Sequence, residues 1–260
     1  TPKPDAALVA AVAGDWRTAE NRARDAARHP VESLTFWGLK PGMTILEVQP
    51  GGASYWTEIL APYAKATGGQ YHATGADLAN PKLSEGAKQA RAEFEARYAD
   101  PERYGIVNVV NWGPSSAPLP ANAFDFILTA RNVHGWMGQG MVDKAFREFA
   151  AALKPGGVLA VEQHRANPGP QDPAAKSGYV TEAYVIEQAE KAGLKLAGKS
   201  EINANAKDTK DHPFGVWTLP PTRRASPYGS SEPADPNFDH SKYDAIGESD
   251  RMTLRFVKPR

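Results

Sequence analysis

The sequence predicts an α/β fold in which a mostly parallel sheet carries helices on both faces, and three stretches predict it. Residues 44–48 are β-rich, break into a turn containing Pro50, Gly51 and Gly52, and lead into an apolar-periodic segment at 55–63 that reads as a helix. Residues 124–130 read as another apolar strand, after a loop punctuated by Pro114, Pro118 and Pro120. Residues 145–153 put Phe146, Phe149, Ala150 and Leu153 on one helical face; Lys154-Pro-Gly-Gly157 then stops that helix and 158–162 start a further strand. Strands alternating with helices are the pattern of a parallel sheet buried on both sides.

The remaining elements follow from the punctuation. Residues 5–13 and 18–27 read as two Ala-rich helices and 30–37 as a third, so 1–29 form an N-terminal helical extension ahead of a domain spanning 30–260. The second strand is 71–75, with Asp77 after it; 81–98 is a long charged helix expected to pack its Ala/Phe face inward, and 105–110 is the third strand. Residues 180–191 read as a helix, 194–202 as the sixth strand and 252–257 as the last. Between those two strands lies a long irregular insertion, 203–250, polar and carrying Pro213, Pro220, Pro221, Pro227, Pro233 and Pro236. A connection of that length is either functional or poorly ordered. Within it, 214–219 is expected as an extra strand or an anchored loop. Asp208, Asp211, His212, Asp235, Asp239 and His240 have neither EF-hand nor His-Glu-x-x-His spacing, so they read as solvated loop charge and no metal is expected.

Composition narrows the partners. The 30 basic and 30 acidic residues cancel and no basic block stands out, which argues against a nucleic-acid groove, since that needs a positive stripe. No apolar run approaches the ~20 residues of a membrane span. Cysteine is absent, which removes disulfides, thiolate metal sites and cysteine nucleophiles. A cysteine-free chain suits an oxidising compartment. The first residue is Thr1 and not Met, which reads as a trimmed or processed start. The expectation is a periplasmic or secreted protein, with the cytoplasm as the alternative.

A strand that feeds a tight turn and a helix N-terminus offers backbone N–H groups and a positive dipole end to a polar ligand. Glu47, at the carboxyl end of the strand, sits where an acceptor for ligand hydroxyl or amino groups is expected. The turn has no Gly-x-Gly-x-x-Gly dinucleotide fingerprint. It resembles motif I of the class I S-adenosylmethionine (SAM) methyltransferases, acidic-x-Gly-x-Gly-x-Gly, with Glu47 in the acidic place, Gln49 in that of the first Gly, Gly51 the second and Ala53 the third. Residues 121–125 resemble that family's lead into its fourth strand, and Leu153-Lys-Pro-Gly-Gly157 with the strand behind it is the most specific family-like string. The resemblance covers 30–202 and resumes at 252–257. Within the family, the chain looks closest to a group of bacterial, often exported methyltransferases whose motif I carries a Pro-Gly-Gly turn followed by aromatic-Thr-Glu-hydrophobic-Leu, as in Tyr55-Trp-Thr-Glu-Ile-Leu60. The resemblance implies a Rossmann-like sheet of seven strands with the last one antiparallel, and SAM as cofactor.

By the same resemblance, the methionine end of SAM lies over Gln49, Pro50, Gly51 and Gly52. Asp77 is expected either to hold the ribose hydroxyls, two acceptor oxygens suiting two vicinal donors, or to cap the helix that follows. Asn111 can accept from the adenine amino group and Trp112 can stack on the ring. Chemistry is expected beyond the fourth strand, in Arg131-Asn-Val-His-Gly-Trp136, which lacks the Asn/Asp-Pro-Pro-Tyr motif of methyltransferases acting on nucleic-acid amino groups. There His134 is the general-base candidate, because an unperturbed imidazole titrates near neutrality. Arg131 is a candidate for an anionic substrate group or the SAM carboxylate, and Trp136 for a pocket wall. His164 and Arg165 end the fifth strand on the same rim, and Tyr55 is a candidate facing the substrate. The function expected is SAM-dependent methyl transfer to a small molecule. The alternatives are other chemistry on the same fold, such as SAM lysis or hydrolysis, or a non-catalytic binding protein.

Overall fold

A computed structural model describes residues 3–260; Thr1, and with it the expectation of a processed start, lies outside them. The strands are β1 (Thr44–Val48), β2 (Gln70–Gly75), β3 (Val107–Asn111), β4 (Phe124–Ala130), β5 (Leu153–His164), β6 (Lys195–Ser200) and β7 (Arg251–Val257). They form one sheet in the order β3-β2-β1-β4-β5-β7-β6. The first five run parallel, and β7 lies antiparallel between β5 and β6. Strand order reverses between β1 and β4, so the crevice outside their carboxyl ends is the switch point where ligands of open α/β sheets bind.

The helices are α1 (Ala6–Val12), α2 (Ala19–Arg22), α3 (Asp25–Arg28), α4 (Pro30–Trp37), α5 (Thr57–Thr67), α6 (Glu85–Arg97), α7 (Pro101–Tyr104), α8 (Val133–Gln139), α9 (Val142–Ala152), α10 (Glu182–Lys191) and α11 (Ser241–Ile246), with a 3-10 turn at Gly215–Thr218. Side chains alternate across each strand, and the two faces make two cores. Leu46, Val48, Ile127 and Leu159 pack with Trp136, Phe146, Phe149 and Val185 from α8, α9 and α10. Ile45, Leu128 and Ala160 pack with Leu34, Trp37, Ile59 and Leu60 from α4 and α5, and with Leu8 from α1. Trp37 closes this second core by donating its indole N–H to the carbonyl of Leu254 at 3.0 Å.

Several expectations need correction. The helix expected at 18–27 is broken into α2 and α3, with Thr18 capping the first through its side chain. The helix expected from 81 begins at Glu85, capped by Ser84, because Asn80 turns the chain by accepting the Lys82 N–H at 2.9 Å. Its inward Ala/Phe face is only half realised: no α6 residue is fully buried and Phe94 is partly so. α7 and α8 were not expected at all, nor was α11, which lies inside the insertion expected to be irregular. The 214–219 run is a 3-10 turn and not a strand. Solvated charge describes Asp211, Asp235 and Asp239 but not Asp208 or His212, which are buried. Asp208 accepts from His212 at 2.7 Å and from the Tyr179 hydroxyl and the Asp250 N–H, fastening the insertion to β7. No metal-binding group of His, Cys, Asp or Glu is found among the described residues. Nor is any helix among them long and apolar enough to cross a membrane.

Candidate functional site

Two clefts that share Gln49, Pro50 and Gly51 as a common border open at the carboxyl ends of β1, β2 and β4. The larger, about 480 Å³, is bordered by Gln49, Pro50, Gly51, Gly52, residues 74–76 at the end of β2, and Trp112. That size falls within the ~300–1,000 Å³ of ligand clefts. The smaller, about 210 Å³, continues past Gln49, Pro50 and Gly51 to Arg131, His134, His164 and Arg251. Its far wall comes from the insertion: Val216, Trp217, Pro220, Pro221, Thr222 and Tyr228. Trp217 and Tyr228 stack with ring centroids 4.0 Å apart and planes 4° from parallel.

The turn after β1 has the backbone that glycine serves. Gln49 has φ +46° and Gly51 φ +75°, both left-handed. A Cβ added at Gly51 or Gly52 meets nothing within 4 Å, so the backbone there faces open cleft. Gln49 is a non-glycine residue held in that conformation, and its contacts explain how. Its N–H donates to Thr74 Oγ1 at 2.8 Å, and its Oε1 accepts the indole N–H of Trp136 at 2.9 Å. Trp136 is itself buried against Trp112, Phe146 and Phe149. The expectation that Trp136 walls the substrate pocket is therefore corrected: it braces Gln49 from within the core.

Glu47 faces inward. Its Oε1 accepts from the Thr57 hydroxyl at 2.7 Å and the Tyr71 hydroxyl at 2.6 Å, and it borders neither cleft. Burial pushes its carboxyl up to about 7, against the pull of those two hydrogen bonds. In this structure it ties β1, β2 and α5 together and is not placed as a ligand acceptor. Tyr55 was expected to face the substrate, with Trp56 beside it in sequence. Both precede α5 and both are buried. Tyr55 donates to Asp25 Oδ1 at 2.5 Å, with the Arg28 guanidinium 4.5 Å from its ring centre, so it joins the N-terminal helices to the domain and does not face substrate.

Asp77 is buried, and its Oδ1 accepts the Ala79 N–H at 3.0 Å. That is a local turn; the cap of α6 is Ser84, so the capping alternative is corrected. Asn111 is exposed, and its side-chain oxygen accepts from Arg91. Trp112 borders the larger cleft and donates its indole N–H to Glu148 Oε1 at 3.2 Å. Its ring is buried beside Trp136 and Phe149.

Around the smaller cleft sits a charge cluster assembled from distant parts of the chain. Arg28 and Arg251 both bind Glu248 Oε1, at 3.0 and 2.8 Å. Arg251 Nη1 lies 3.1 Å from Glu162 Oε1, an ion pair whose angle makes no hydrogen bond. Burial opposes the charge on Glu248, but Arg251 and Arg28 hold its carboxyl below the usual range. Arg131, at φ +61°, makes no ion pair with any described residue, and its Nε is buried without a partner. Burial, then repulsion from Arg28 and Arg251, lowers its guanidinium to about 9, so it stays a cation at neutral pH.

His134 is tied to Gln163. The amide orientation of Gln163 is fixed because its Oε1 accepts the Val133 N–H at 3.0 Å and its Nε2 donates to the Gly178 carbonyl at 3.1 Å. The same Nε2 lies 2.9 Å from His134 Nδ1 and must donate to it. The proton of the neutral ring is thereby placed on Nε2. Burial lowers this imidazole to about 4. The general-base expectation is corrected: the lone pair is already engaged, and the ring offers the cleft an N–H. His164 is held at Nδ1 by Ser249 Oγ at 2.5 Å, and burial followed by the charge of Arg251 keeps it neutral, well below its ordinary value. Arg165 leaves the rim. It is saturated by Asp250, Glu182 and Glu201 at 3.0, 3.0 and 2.8 Å and fixes the end of β5 to the insertion and β6.

Sequence reasoning missed Gln163, Ser249, Arg251, Arg28 and the roof residues Trp217 and Tyr228. The one available signal was Arg251, a charged residue at the first position of the final strand.

Residues 46–161 match the family model described as a methyltransferase domain. Solved structures of similar fold agree over nearly the whole chain. A SAM-dependent methyltransferase from Aquifex aeolicus shares 19% identity with a TM-score of 0.54, covering 92% of this chain and 94% of that one. The [4+2]-cyclase SpnF shares 18% identity with a TM-score of 0.57, covering 97% and 92%. A SAM-dependent methyltransferase from Methanosarcina mazei shares 13% with a TM-score of 0.52, covering 87% and 97%. The fold is thus the Rossmann-like seven-stranded methyltransferase fold. No curated protein matches the sequence.

Proposed function

We propose that the protein is a SAM-dependent methyltransferase acting on a small molecule. The methyltransferase-domain match and the SAM-dependent neighbours imply SAM as the cofactor. The observation that carries the reading is the open backbone at Gly51 and Gly52, at the sheet's switch point, flanked by a cleft of ligand size. These residues fit the cofactor: bare glycine backbone admits close approach, Thr74 to Ala76 and Trp112 border the larger cleft, and Asp77 follows directly after the end of β2.

When bound, SAM supplies a sulfonium-activated methyl group. What the chain must add is mostly alignment and exclusion of water, since proximity and orientation contribute much of such a rate. Arg131 and His134 border the smaller cleft, where an acceptor reaches the cofactor end over Gln49 and Gly51. The insertion covers that cleft and sets its size, which supports a small acceptor. The neighbour that is a cyclase keeps a second reading open, other chemistry on this fold. The cysteine-free composition supports an exported protein, which cell fractionation tests. Calorimetric titration with SAM and with its demethylated product tests the main reading. Binding of both in the micromolar range supports it, and absence of both rejects it.

A further inference from the structure

Arg131 and Arg251 line the smaller cleft, and with Arg28 behind them they make three guanidiniums grouped with two carboxylates, Glu162 and Glu248. The cluster keeps one positive charge over, and Arg131 is the cation without an ion-pair partner among the described residues. Buried charge of one sign is costly unless a counter-ion arrives. The two histidines of the cleft add donors. His134 carries its proton on Nε2, as Gln163 dictates. Ser249 Oγ accepts from Arg251 Nε at 3.1 Å and meets His164 Nδ1 at 2.5 Å; its own proton is available to that nitrogen, and the tautomer that takes it carries the His164 proton on Nε2. Neither Nε2 has a hydrogen-bond partner among the described residues, and the two rings lie 5.6 Å apart.

We propose that this pocket binds the carboxylate of the methyl acceptor, with Arg131 as its counter-ion and the Nε2–H groups of His134 and His164 as donors. One surplus charge matches a monoanion better than a phosphate dianion. The space beneath Trp217 and Tyr228, about 210 Å³, limits the acceptor to a small molecule. The inference rests on the methyltransferase reading for the word acceptor, but the anion pocket stands on its own contacts.

The test is calorimetric titration of the full chain with benzoate, benzamide and phenyl phosphate, with and without saturating S-adenosylhomocysteine. Benzoate is expected to bind about tenfold or more tighter than benzamide, the scale of a hydrogen bond to a charged group. Arg131→Gln should erase that preference and Arg131→Lys should keep part of it. Should Arg131→Gln fail to fold, His134→Phe reads the same site and should weaken benzoate more than benzamide, since the lost hydrogen bond is stronger to a charged acceptor. Equal affinities for benzoate and benzamide, or a preference that survives Arg131→Gln, overturn the pocket. Tighter binding of phenyl phosphate overturns the carboxylate assignment. Competition between benzoate and S-adenosylhomocysteine overturns the acceptor assignment, because the anion site then belongs to the cofactor's methionine end. Selective benzoate binding in a protein that ignores S-adenosylhomocysteine rejects the methyltransferase reading and supports the anion pocket.

Discussion

Gln49→Gly tests how the chain tolerates a side chain where motif I has glycine. Gln49 sits at φ +46°, and left-handed backbone costs a residue with a Cβ about 1–2 kcal/mol. Glycine removes that cost but returns about 0.4–1 kcal/mol through a more flexible unfolded chain, leaving a gain of about 0.5–1 kcal/mol. Against this, the substitution strips the acceptor from the Trp136 indole N–H, bonded at 2.9 Å in a residue only 1% exposed. An unsatisfied buried donor costs about 1–3 kcal/mol; the vacated space opens to the cleft, so the lower half of that range applies. Gln49→Gly alone should therefore destabilise by up to about 1 kcal/mol. In a Trp136→Phe background, where no donor is orphaned, the same change should stabilise by about 0.5–1 kcal/mol. Urea denaturation of the four proteins gives the coupling, expected at about 1–2 kcal/mol. A coupling within the ~0.3 kcal/mol scatter of independent sites refutes the idea that Trp136 holds Gln49 in place.

Three further outcomes follow from the same geometry. Burial raises Glu47 from its ordinary 4.5 to about 7, so the native state holds an extra proton between those values and stability falls as pH rises through that window. Glu47→Gln should match wild type below about pH 4.5 and exceed it by up to ~3 kcal/mol above pH 7; parallel pH–stability curves contradict this. His134 should not titrate between pH 5.5 and 8, because burial has moved it to about 4, and nitrogen-15 NMR should show its proton on Nε2; titration near 6.5 refutes the donor assignment. Asp77→Asn preserves the oxygen that accepts the Ala79 N–H, so stability should hold while SAM affinity drops about tenfold if the carboxylate binds ribose; unchanged affinity removes Asp77 from the cofactor site.

Much of the fold was legible because local signals and packing agree. β1 and β4 have the bounds that their apolar runs suggest, and α4 starts at Pro30, a residue suited to a first helical turn. α8 was not legible, since Gly135 and Gly138 suppress its intrinsic propensity; buried Val133, Trp136 and Met137 hold it instead. The insertion reads as loop from its prolines, yet buried Asp208, His212, Val216 and Leu219 pin it over the cleft. The turn's position was readable from Gly51 and Gly52. The roles of Glu47, Tyr55, Trp136 and Arg165 were not, because sequence places a residue on or beside an element without telling which face it turns to. The charge cluster was hidden for a related reason: Arg28 and Glu248 are 220 residues apart in sequence and meet only after folding.

The central claim is that bare backbone at Gly51 and Gly52 receives the cofactor, and Gly52→Val tests it most directly. A Cβ at Gly52 meets nothing within 4 Å, and the backbone there is not left-handed, so the variant should fold with an unchanged melting temperature while its side chain occupies the cleft. Titrating wild type and variant with SAM should give micromolar-range binding in the first and none in the second. Equal SAM affinity in a folded Gly52→Val protein would contradict the placement of the cofactor at this turn.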